Sequence, residues 1–260
     1  MVSLRATAKA PKLRNFRLKD VFTLVNLLCG VVAVHYVVAG ELRRAGYAVL
    51  VGFLGGDLPD GAVARLTGTG NRFGAEFDSI VDHFVHVIVP GLIVYSAYRQ
   101  GGHELVGLFL MGILVATATI RHARLAAERF DFPLCWCGLP RTISGFVAMS
   151  LPLSHSFFAE NPWRYQTGVA VIVPLCLLNL IPIPYMTHRG QRGMQTWVKV
   201  IVTCFFAAPI LMYVADRPML FDVFLIGSAG YALTGWVPVR PEERRAFYAE
   251  YRRWSAALAG

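Results

Sequence analysis

Long blocks of apolar residues alternate with short polar segments along most of the chain. A membrane-spanning helix needs roughly 17–25 mostly apolar residues, and the pattern predicts eight of them. Turn-forming pairs such as Gly101-Gly102 and Asn161-Pro162 mark gaps between the blocks. Helices are expected because they satisfy every backbone polar group within their own segment, as lipid requires. The predicted spans are residues 20–40, 44–66, 75–98, 103–124, 140–159, 166–187, 196–215 and 218–237.

The composition favours a membrane protein over a soluble domain. Of the 260 residues, 55% are hydrophobic and only 16% are charged, and the mean hydropathy is +0.50. No internal repeat or low-complexity linker divides the chain. We therefore expect an all-α, polytopic membrane helix bundle over residues 1–237, with an interfacial segment at 1–19 and a cytoplasmic tail at 238–260.

The positive charges predict the orientation of the bundle. With the N-terminus in the cytoplasm, 20 of the 25 lysines and arginines fall on the cytoplasmic side, and the C-terminus lies there too. The formal net charge of +9 suits anionic lipid headgroups, and nothing in the sequence indicates nucleic-acid binding. The expected location is the cell inner (plasma) membrane. The five basic residues left on the outer side are Arg43, Arg44, Arg99, Arg164 and Arg217.

Two other patterns carry expectations of structure. The five cysteines are scattered, and Cys135-Trp136-Cys137 lacks the spacing of a zinc site, so they are interpreted as buried apolar side chains. In the tail, Phe247, Tyr251 and Trp254 are spaced to form one aromatic face of a helix that lies on the membrane or docks on the bundle.

Four aspartates lie at the junction of the second and third predicted spans. Asp57 and Asp60 fall on one face of a helix with Gly61 and Ala64, at about 100° per residue. Asp78 and Asp82 are one helical turn apart on the next span. A short turn joins the two spans, so all four carboxylates are expected to converge.

Such a cluster is unfavourable in a membrane unless cations balance it. A single charge at mid-bilayer costs about 2.5–3.5 kcal/mol. Oxygen-only ligands favour a hard divalent ion, and four carboxylates could hold two ions.

His83 and His86 fall on flanking faces, where we expect them to pack against other side chains or to contact the metal ligands from behind. An alternative is an ion transporter, but its acids would be spread along a pathway across several spans. The remaining acids, Asp20, Glu104 and Asp222, are expected at the membrane interface.

Pro59 predicts a distortion of the second span just before the acidic cluster. Within a helix it removes one backbone hydrogen bond and crowds the carbonyl group of Gly55. Gly55-Gly56 already weakens the helix at this point. We expect the segment to be kinked or unwound, which would free carbonyl oxygens near the aspartates.

The acidic stretch resembles the signature of the CDP-alcohol phosphatidyltransferases at every fixed position. It consists of Asp57-x-x-Asp60-Gly61-x-x-Ala64-Arg65, eight further residues, and Gly74-x-x-x-Asp78-x-x-x-Asp82. The resemblance implies an enzyme that cleaves a CDP-linked donor, usually CDP-diacylglycerol, and transfers its phosphatidyl group to an alcohol with release of CMP.

The resemblance also implies a role for each residue of the signature. Asp57, Asp60, Asp78 and Asp82 would bind Mg²⁺ or Mn²⁺, two ions in all, and Asp82 would also be the general base. Homodimers are common in families of this kind. The nucleotide would lie against Gly61, Ala64, Arg65 and Gly74, and against Thr23 and Asn26 of the first span.

The acceptor alcohol is predicted from three other stretches. Residues 22–30, 121–130 and 137–148 resemble bacterial and archaeal phosphatidylserine synthases, which favours serine. Arg121 and Arg124 share a helix face and suit the donor phosphate or the serine carboxylate. The residues after His83 depart from the serine-synthase pattern, and parts of the chain resemble phosphatidylcholine synthases. Choline, inositol and glycerol phosphate therefore remain alternative acceptors.

Overall fold

The computed structural model describes residues 16–59, 71–127, 130, 132–187 and 219–259 of the chain. Of the helices in these ranges, α1, α3 and α4 are long and apolar enough to cross a membrane. Helices α6 and α7 are shorter but also apolar. The helices are α1 (Leu18–Val38), α2 (Leu42–Gly52), α3 (Arg72–Gln100), α4 (Glu104–Ala127), α5 (Arg141–Leu153), α6 (Arg164–Leu180), α7 (Leu220–Thr234) and α8 (Pro241–Ala259).

Two short strands form a small antiparallel sheet beside the bundle. They are β1 (Cys135–Cys137) and β2 (Pro184–Met186), with Trp136 opposite Tyr185. Burial in this region raises the pKa of the Cys135 thiol to about 12, so that thiol is neutral at physiological pH. This state agrees with the interpretation of the cysteine as an apolar side chain.

One π-helical turn follows α2 and another interrupts α3, and each lies at or near an aspartate of the signature. The first turn, Phe53–Asp57, continues α2 and ends at Asp57. The second turn, Phe84–Ile88, interrupts α3 between the α-helical segments Arg72–His83 and Val89–Gln100. Turns of this type are rare and occur often at functional sites. The expected distortion before Pro59 is therefore observed, as a π-turn in a continuing helix.

The distribution of side chains is that of a membrane protein. Leu28, Val31 and Val32 of α1 are exposed, whereas Thr23 and Asn26 of the same helix are buried. The apolar outer face suits lipid, and the polar residues face the neighbouring helices.

Close helix packing on this side depends on small residues. A Cβ atom on Gly56 would lie 2.7 Å from the backbone oxygen of Phe22 and from the backbone nitrogen of Asn26, whereas one on Gly55 would meet nothing within 4 Å. Gly56 thus lets the π-turn of α2 lie directly against the backbone of α1, as small residues do in membrane helix pairs.

Most of the predicted spans within the described residues coincide with helices. Spans 20–40, 75–98 and 103–124 match α1, α3 and α4, and span 218–237 matches α7. Span 140–159 is divided into α5 and a π-turn, His155–Ala159. The predicted end of span 166–187 is wrong, because helix α6 ends at Leu180 and the chain then forms strand β2. Span 196–215 and the end of span 44–66 lie outside the described residues.

The C-terminal helix α8 docks on the segment around β1. Phe247 is fully buried and contacts the rings of Phe130 and Phe132. Tyr251 and Trp254 extend this aromatic face along the helix and also contact Phe130. Of the two positions expected for the tail helix, the structure shows the docked one.

Candidate metal and active site

Asp57, Asp82 and His86 come together where α2 and α3 meet. One ligand atom of each residue lies within 4.8 Å of the others, and this is the one such His, Cys, Asp or Glu cluster among the described residues. Asp57 is the last residue of its π-turn. Asp82 precedes the π-turn of α3, and His86 lies at the middle of that turn. The expected convergence of carboxylates from the two spans is thus observed for Asp57 and Asp82.

Asp82 lies between an imidazole and a guanidinium group. Its Oδ1 atom is 3.5 Å from Nδ1 of His86, and its Oδ2 atom is 3.5 Å from an Nη atom of Arg141. Both distances are long for a hydrogen bond, so the carboxylate oxygens keep the capacity to accept a further partner. A carboxylate held in this way suits a metal ion or an alcohol proton.

His86 is fully buried and has no hydrogen-bond partner within the described part of the chain. Its ring lies edge-on to Phe53 and Phe146, with ring centroids 5.6 Å away in both cases. Among the described residues, neither ring nitrogen donates or accepts a hydrogen bond. A buried polar group without a partner is unfavourable, and a bound metal ion would give one of these nitrogens a partner.

A polar network extends from Asp82 toward α4 and α5. Arg141 lies 3.1 Å from Nδ1 of His122, and Nε2 of the same ring lies 3.2 Å from the hydroxyl group of Ser79. His83 lies 3.1 Å from the hydroxyl group of Thr119. The contacts of Arg141 thus link the aspartate to the imidazole of His122 and to the hydroxyl group of Ser79.

Arg141 and His122 were missed as site residues in the sequence. Arg141 lies in the stretch 137–148 and His122 in the stretch 121–130, which resemble the serine synthases, but the sequence assigns neither residue a role in the site. The signal available was that Arg141 opens a helix directly after Pro140, at the same end of the bundle as the acidic motif.

Thr23 and Asn26 of α1 are buried next to the π-turn of α2. A Cβ atom on Gly52 would lie 2.8 Å from Oδ1 of Asn26. Neither amide atom of Asn26 has a hydrogen-bond partner among the described residues. Its side chain therefore faces the α2 segment that leads to Asp57, and its binding to a nucleotide stays a prediction.

Gly74 lies against a buried ion pair of α1. The Lys19 ammonium group is 2.9 Å from the carboxylate of Asp20, and both residues are buried. A Cβ atom on Gly74 would overlap both groups. Helix α1 therefore approaches Gly74 closely through this ion pair, and contact of Gly74 with a nucleotide stays a prediction. Asp20 also accepts a hydrogen bond from the backbone N–H of Arg17, and its expected position at the membrane interface stays a prediction.

The other two interface acids have different surroundings. Asp222 is buried and accepts hydrogen bonds from the backbone nitrogens of His155 and Ser156, which open the π-turn after α5. Glu104 is exposed and accepts a hydrogen bond from Tyr95.

Arg121 and Arg124 both donate to backbone carbonyl groups. Nε and Nη2 of Arg121 bind the oxygen of Cys137 at 3.0 and 2.7 Å, and Arg124 binds the oxygen of Leu180 at 3.1 Å. These bonds hold the ends of β1 and α6 against α4. A contact of either arginine with substrate stays a prediction.

Of the remaining residues of the signature, the structure describes Asp78 but not the four residues between 60 and 65. Asp78 lies one turn before Asp82 on α3, half-buried, and is not a member of the three-residue cluster. Its role as a metal ligand stays a prediction. Asp60, Gly61, Ala64 and Arg65 lie outside the described residues.

The residues of the cluster fit a divalent metal ion. Two carboxylates supply oxygen ligands, and His86, whose ring nitrogens have no hydrogen-bond partner among the described residues, supplies a nitrogen ligand. Mg²⁺ and Mn²⁺ are bound by carboxylates, and imidazole is a common ligand of transition metals.

Comparison with known proteins agrees with this arrangement. The sequence profile of the CDP-alcohol phosphatidyltransferases matches residues 16–224. The CDP-diacylglycerol–serine O-phosphatidyltransferase of Helicobacter pylori strain 26695 is 30% identical over 196 residues, which cover 74% of this chain and 82% of that protein. The protein of the same name from strain J99 is 25% identical over 223 residues, covering 84% and 90%.

A more distant relative has the same name. The CDP-diacylglycerol–serine O-phosphatidyltransferase of Methanocaldococcus jannaschii is 21% identical over 184 residues, which cover 66% of this chain and 76% of that protein. With the profile matching most of its length, and with its acidic residues brought together by α2 and α3, this chain belongs to the CDP-alcohol phosphatidyltransferase family of enzymes.

Proposed function

We propose that the protein transfers the phosphatidyl group of CDP-diacylglycerol to the hydroxyl group of L-serine, giving phosphatidylserine and CMP. The observation that carries the proposal is the convergence of Asp57, Asp82 and His86 beside Arg141. The three relatives named CDP-diacylglycerol–serine O-phosphatidyltransferases support both the donor and the acceptor.

Asp82 is proposed as the general base. The serine hydroxyl oxygen attacks the phosphorus that carries the diacylglycerol, its proton passes to Asp82, and the bond from that phosphorus to the CMP oxygen breaks. A base within hydrogen-bond reach of the reacting hydroxyl group contributes about 10²–10⁴-fold to the rate. Arg141 lies near one carboxylate oxygen and His86 near the other, so the base has a polar neighbour on each side.

A divalent metal is proposed at the same place, with Mg²⁺ or Mn²⁺ favoured. Asp57 and Asp82 would hold it, with Asp60 and Asp78 completing a site for two ions. When bound, the metal would offset the negative charge on the diphosphate and on the departing CMP. The chain's own contribution is to bring carboxylates from two helices to one point.

Arg141 is proposed to recognise the carboxylate of serine. Its guanidinium group lies within 3.5 Å of Asp82, so an acceptor bound there would have its hydroxyl group next to the base. Guanidinium groups bind carboxylates with paired hydrogen bonds, whereas they repel the cation of choline. The guanidinium group of Arg141 beside the base therefore favours serine over choline as the acceptor.

The nucleotide is proposed to lie between α1 and the start of the signature. Thr23 and Asn26 would contact it from α1, and this role is supported by the amide of Asn26, which has no hydrogen-bond partner in the part of the chain that the structure describes. The signature residues that face it would be Gly61, Ala64, Arg65 and Gly74. The chain is further proposed to form a homodimer in the inner membrane, with eight spans and with the active site facing the cytoplasm.

The function is tested by following CMP release from the purified full-length chain. CDP-diacylglycerol is supplied with Mn²⁺ or Mg²⁺, and serine, choline, inositol and glycerol 3-phosphate are offered in turn. We expect CMP release with serine and not with choline, and a fall of about 10²–10⁴-fold in Asp82→Asn. Glu104→Gln changes an exposed carboxylate on the same bundle and is the matched control. Unchanged release in Asp82→Asn would falsify the assignment of the base.

A further inference from the structure

We propose that His86 is a nitrogen ligand of the metal ion held by Asp57 and Asp82. The inference deepens the proposed function, since it concerns the metal of the same active site. The family signature ends at Asp82, so this residue lies outside the pattern that identifies the family. The proposal begins from the position of the ring, which has a nitrogen within 4.8 Å of carboxylate oxygens of both aspartates.

The described residues around His86 offer its ring nitrogens no hydrogen-bond partner. The residue is fully buried, and neither nitrogen forms a hydrogen bond within the described part of the chain. Its Nδ1 atom lies 3.5 Å from Oδ1 of Asp82, which is beyond a good hydrogen bond. A buried nitrogen that faces two carboxylates and lacks a proton partner has the environment of a ligand.

The fold fixes the ring against the aspartates. Phe53 and Phe146 pack against it edge-on from two other helices. Behind the ring, a Cβ atom on Gly145 would overlap the carbonyl oxygen of His86, so α5 lies directly against the backbone of the π-turn. The imidazole is therefore held in place by packing before any ion binds.

A nitrogen ligand changes which metal the site prefers. Mg²⁺ and Ca²⁺ are bound mainly by oxygen, whereas Mn²⁺ and the later transition metals accept imidazole. The site is therefore expected to bind Mn²⁺ more tightly than Mg²⁺. Loss of the imidazole is expected to reduce that preference.

The test measures the metal directly in the full-length protein in detergent. Mn²⁺ is added to the wild-type chain, and pulsed electron paramagnetic resonance detects nitrogen nuclei bound to the ion. We expect a directly coordinated ¹⁴N signal that changes to a ¹⁵N signal when the histidines are labelled with ¹⁵N. In His86→Phe, the nitrogen signal is expected to disappear, and the Kd for Mn²⁺ is expected to rise by at least about 10-fold.

His83→Asn is the matched control, because His83 lies three residues away on α3 and contacts Thr119. It should keep the nitrogen signal and the Kd of the wild-type chain. A wild-type complex with no coordinated nitrogen, or a signal that persists in His86→Phe, would overturn the proposal. If His86→Phe does not fold, the labelled wild-type chain and His86→Asn decide the question by the same signal.

Measurement of CMP release separates this inference from the proposed function. A His86-dependent nitrogen signal in a protein that releases no CMP with any acceptor would support the ligand and contradict the function. CMP release with serine in a protein whose Mn²⁺ has no nitrogen ligand would support the function and contradict the ligand.

Discussion

At the scale of single residues, Asp82 is the point where the polar contacts of the site converge. Arg141 approaches one carboxylate oxygen from α5, and His86 approaches the other from the next turn of α3. His86 and Arg141 thus lie on different sides of the Asp82 carboxylate. The buried aromatic side holds the proposed metal ligand, and the half-buried polar side holds the proposed acceptor.

Replacing Arg141 by Gln is expected to raise the KM for serine. Loss of a hydrogen bond to a charged group costs about 1.5–3 kcal/mol, which corresponds to roughly 10–150-fold in affinity. Steady-state CMP release at varied serine concentration measures this change.

Arg124→Gln is the matched variant, because the sequence predicts that Arg124 binds the donor phosphate or the serine carboxylate. Its guanidinium group donates to the carbonyl oxygen of Leu180 in the structure. We therefore expect its KM for serine to stay near the wild-type value. A higher KM in Arg124→Gln alone would support the sequence prediction and contradict the role of Arg141.

At the scale of elements, the contact between α1 and the π-turn of α2 positions Asp57. Gly56 lies against the backbone of α1, and Asp57 follows it directly. Adding a side chain at Gly56 would thus separate the two helices at the site itself. Its neighbour Gly55 faces open space, so two adjacent glycines provide a direct comparison.

Gly56→Ala is expected to destabilise the protein by about 1–3 kcal/mol, the typical cost of overpacking. Gly55→Ala is expected to change stability by less than about 1 kcal/mol, because the added methyl group meets no atom and alanine favours a helix. Thermal unfolding of both variants in the same detergent measures the difference. Equal effects of the two substitutions would contradict the packing described for Gly56.

Phe247 is the fully buried ring in the contact between α8 and the segment around β1. Phe247→Ala removes the side chain that fills the space between Phe130 and Phe132 and is expected to cost about 3–5 kcal/mol. Tyr248→Ala is the control, since that ring is 41% exposed. Limited proteolysis at the C-terminus should be faster in Phe247→Ala only. The same rate in both variants would mean that α8 is held by other contacts.

The sequence predicted the elements well where one physical rule dominates. Long apolar blocks must form helices in lipid, so α1, α3 and α4 were found within a few residues. The end of α6 was misjudged because Ile181 and Ile183 are as apolar as a span, although Pro182 and Pro184 do not permit a helix to continue.

The sequence predicted the active site less completely. The spacing of Asp57 and Asp82 indicated that they converge, because both lie on helix faces with a regular period. Arg141 and His122 belong to helices α5 and α4, which are distant from Asp82 in the chain. No local sequence pattern predicts that these residues lie close to Asp82. The position of the His86 ring in the cluster depends on its packing against Phe53 and Phe146. The spacing of residues in the sequence does not show this packing.

At the scale of the whole molecule, the charged residues of the site lie at one end of the bundle. Lys19 at the start of α1 lies against Gly74 at the start of α3. Asp82 contacts Arg141 at the start of α5. If the N-terminus is cytoplasmic, as the distribution of positive charge predicts, this end faces the cytoplasm.

The predicted topology is tested with reporters at the C-terminus. With eight spans and a cytoplasmic N-terminus, a green fluorescent protein fused after Gly260 should fluoresce, and an alkaline phosphatase fused there should be inactive. Both fusions are compared in the same cells by fluorescence and enzyme activity. An active phosphatase fusion would contradict the even number of spans or the orientation.

The π-turn at Phe84–Ile88 also affects how this chain aligns with its relatives. A π-turn contains one residue more than the α-helical turn it replaces. A relative whose third helix is α-helical throughout would match this chain on both sides of the turn only if one position between 84 and 88 were left as a gap. Alignments that force an ungapped match there would pair His86 with a residue that faces another direction, and would conceal which relatives have a ligand at this place.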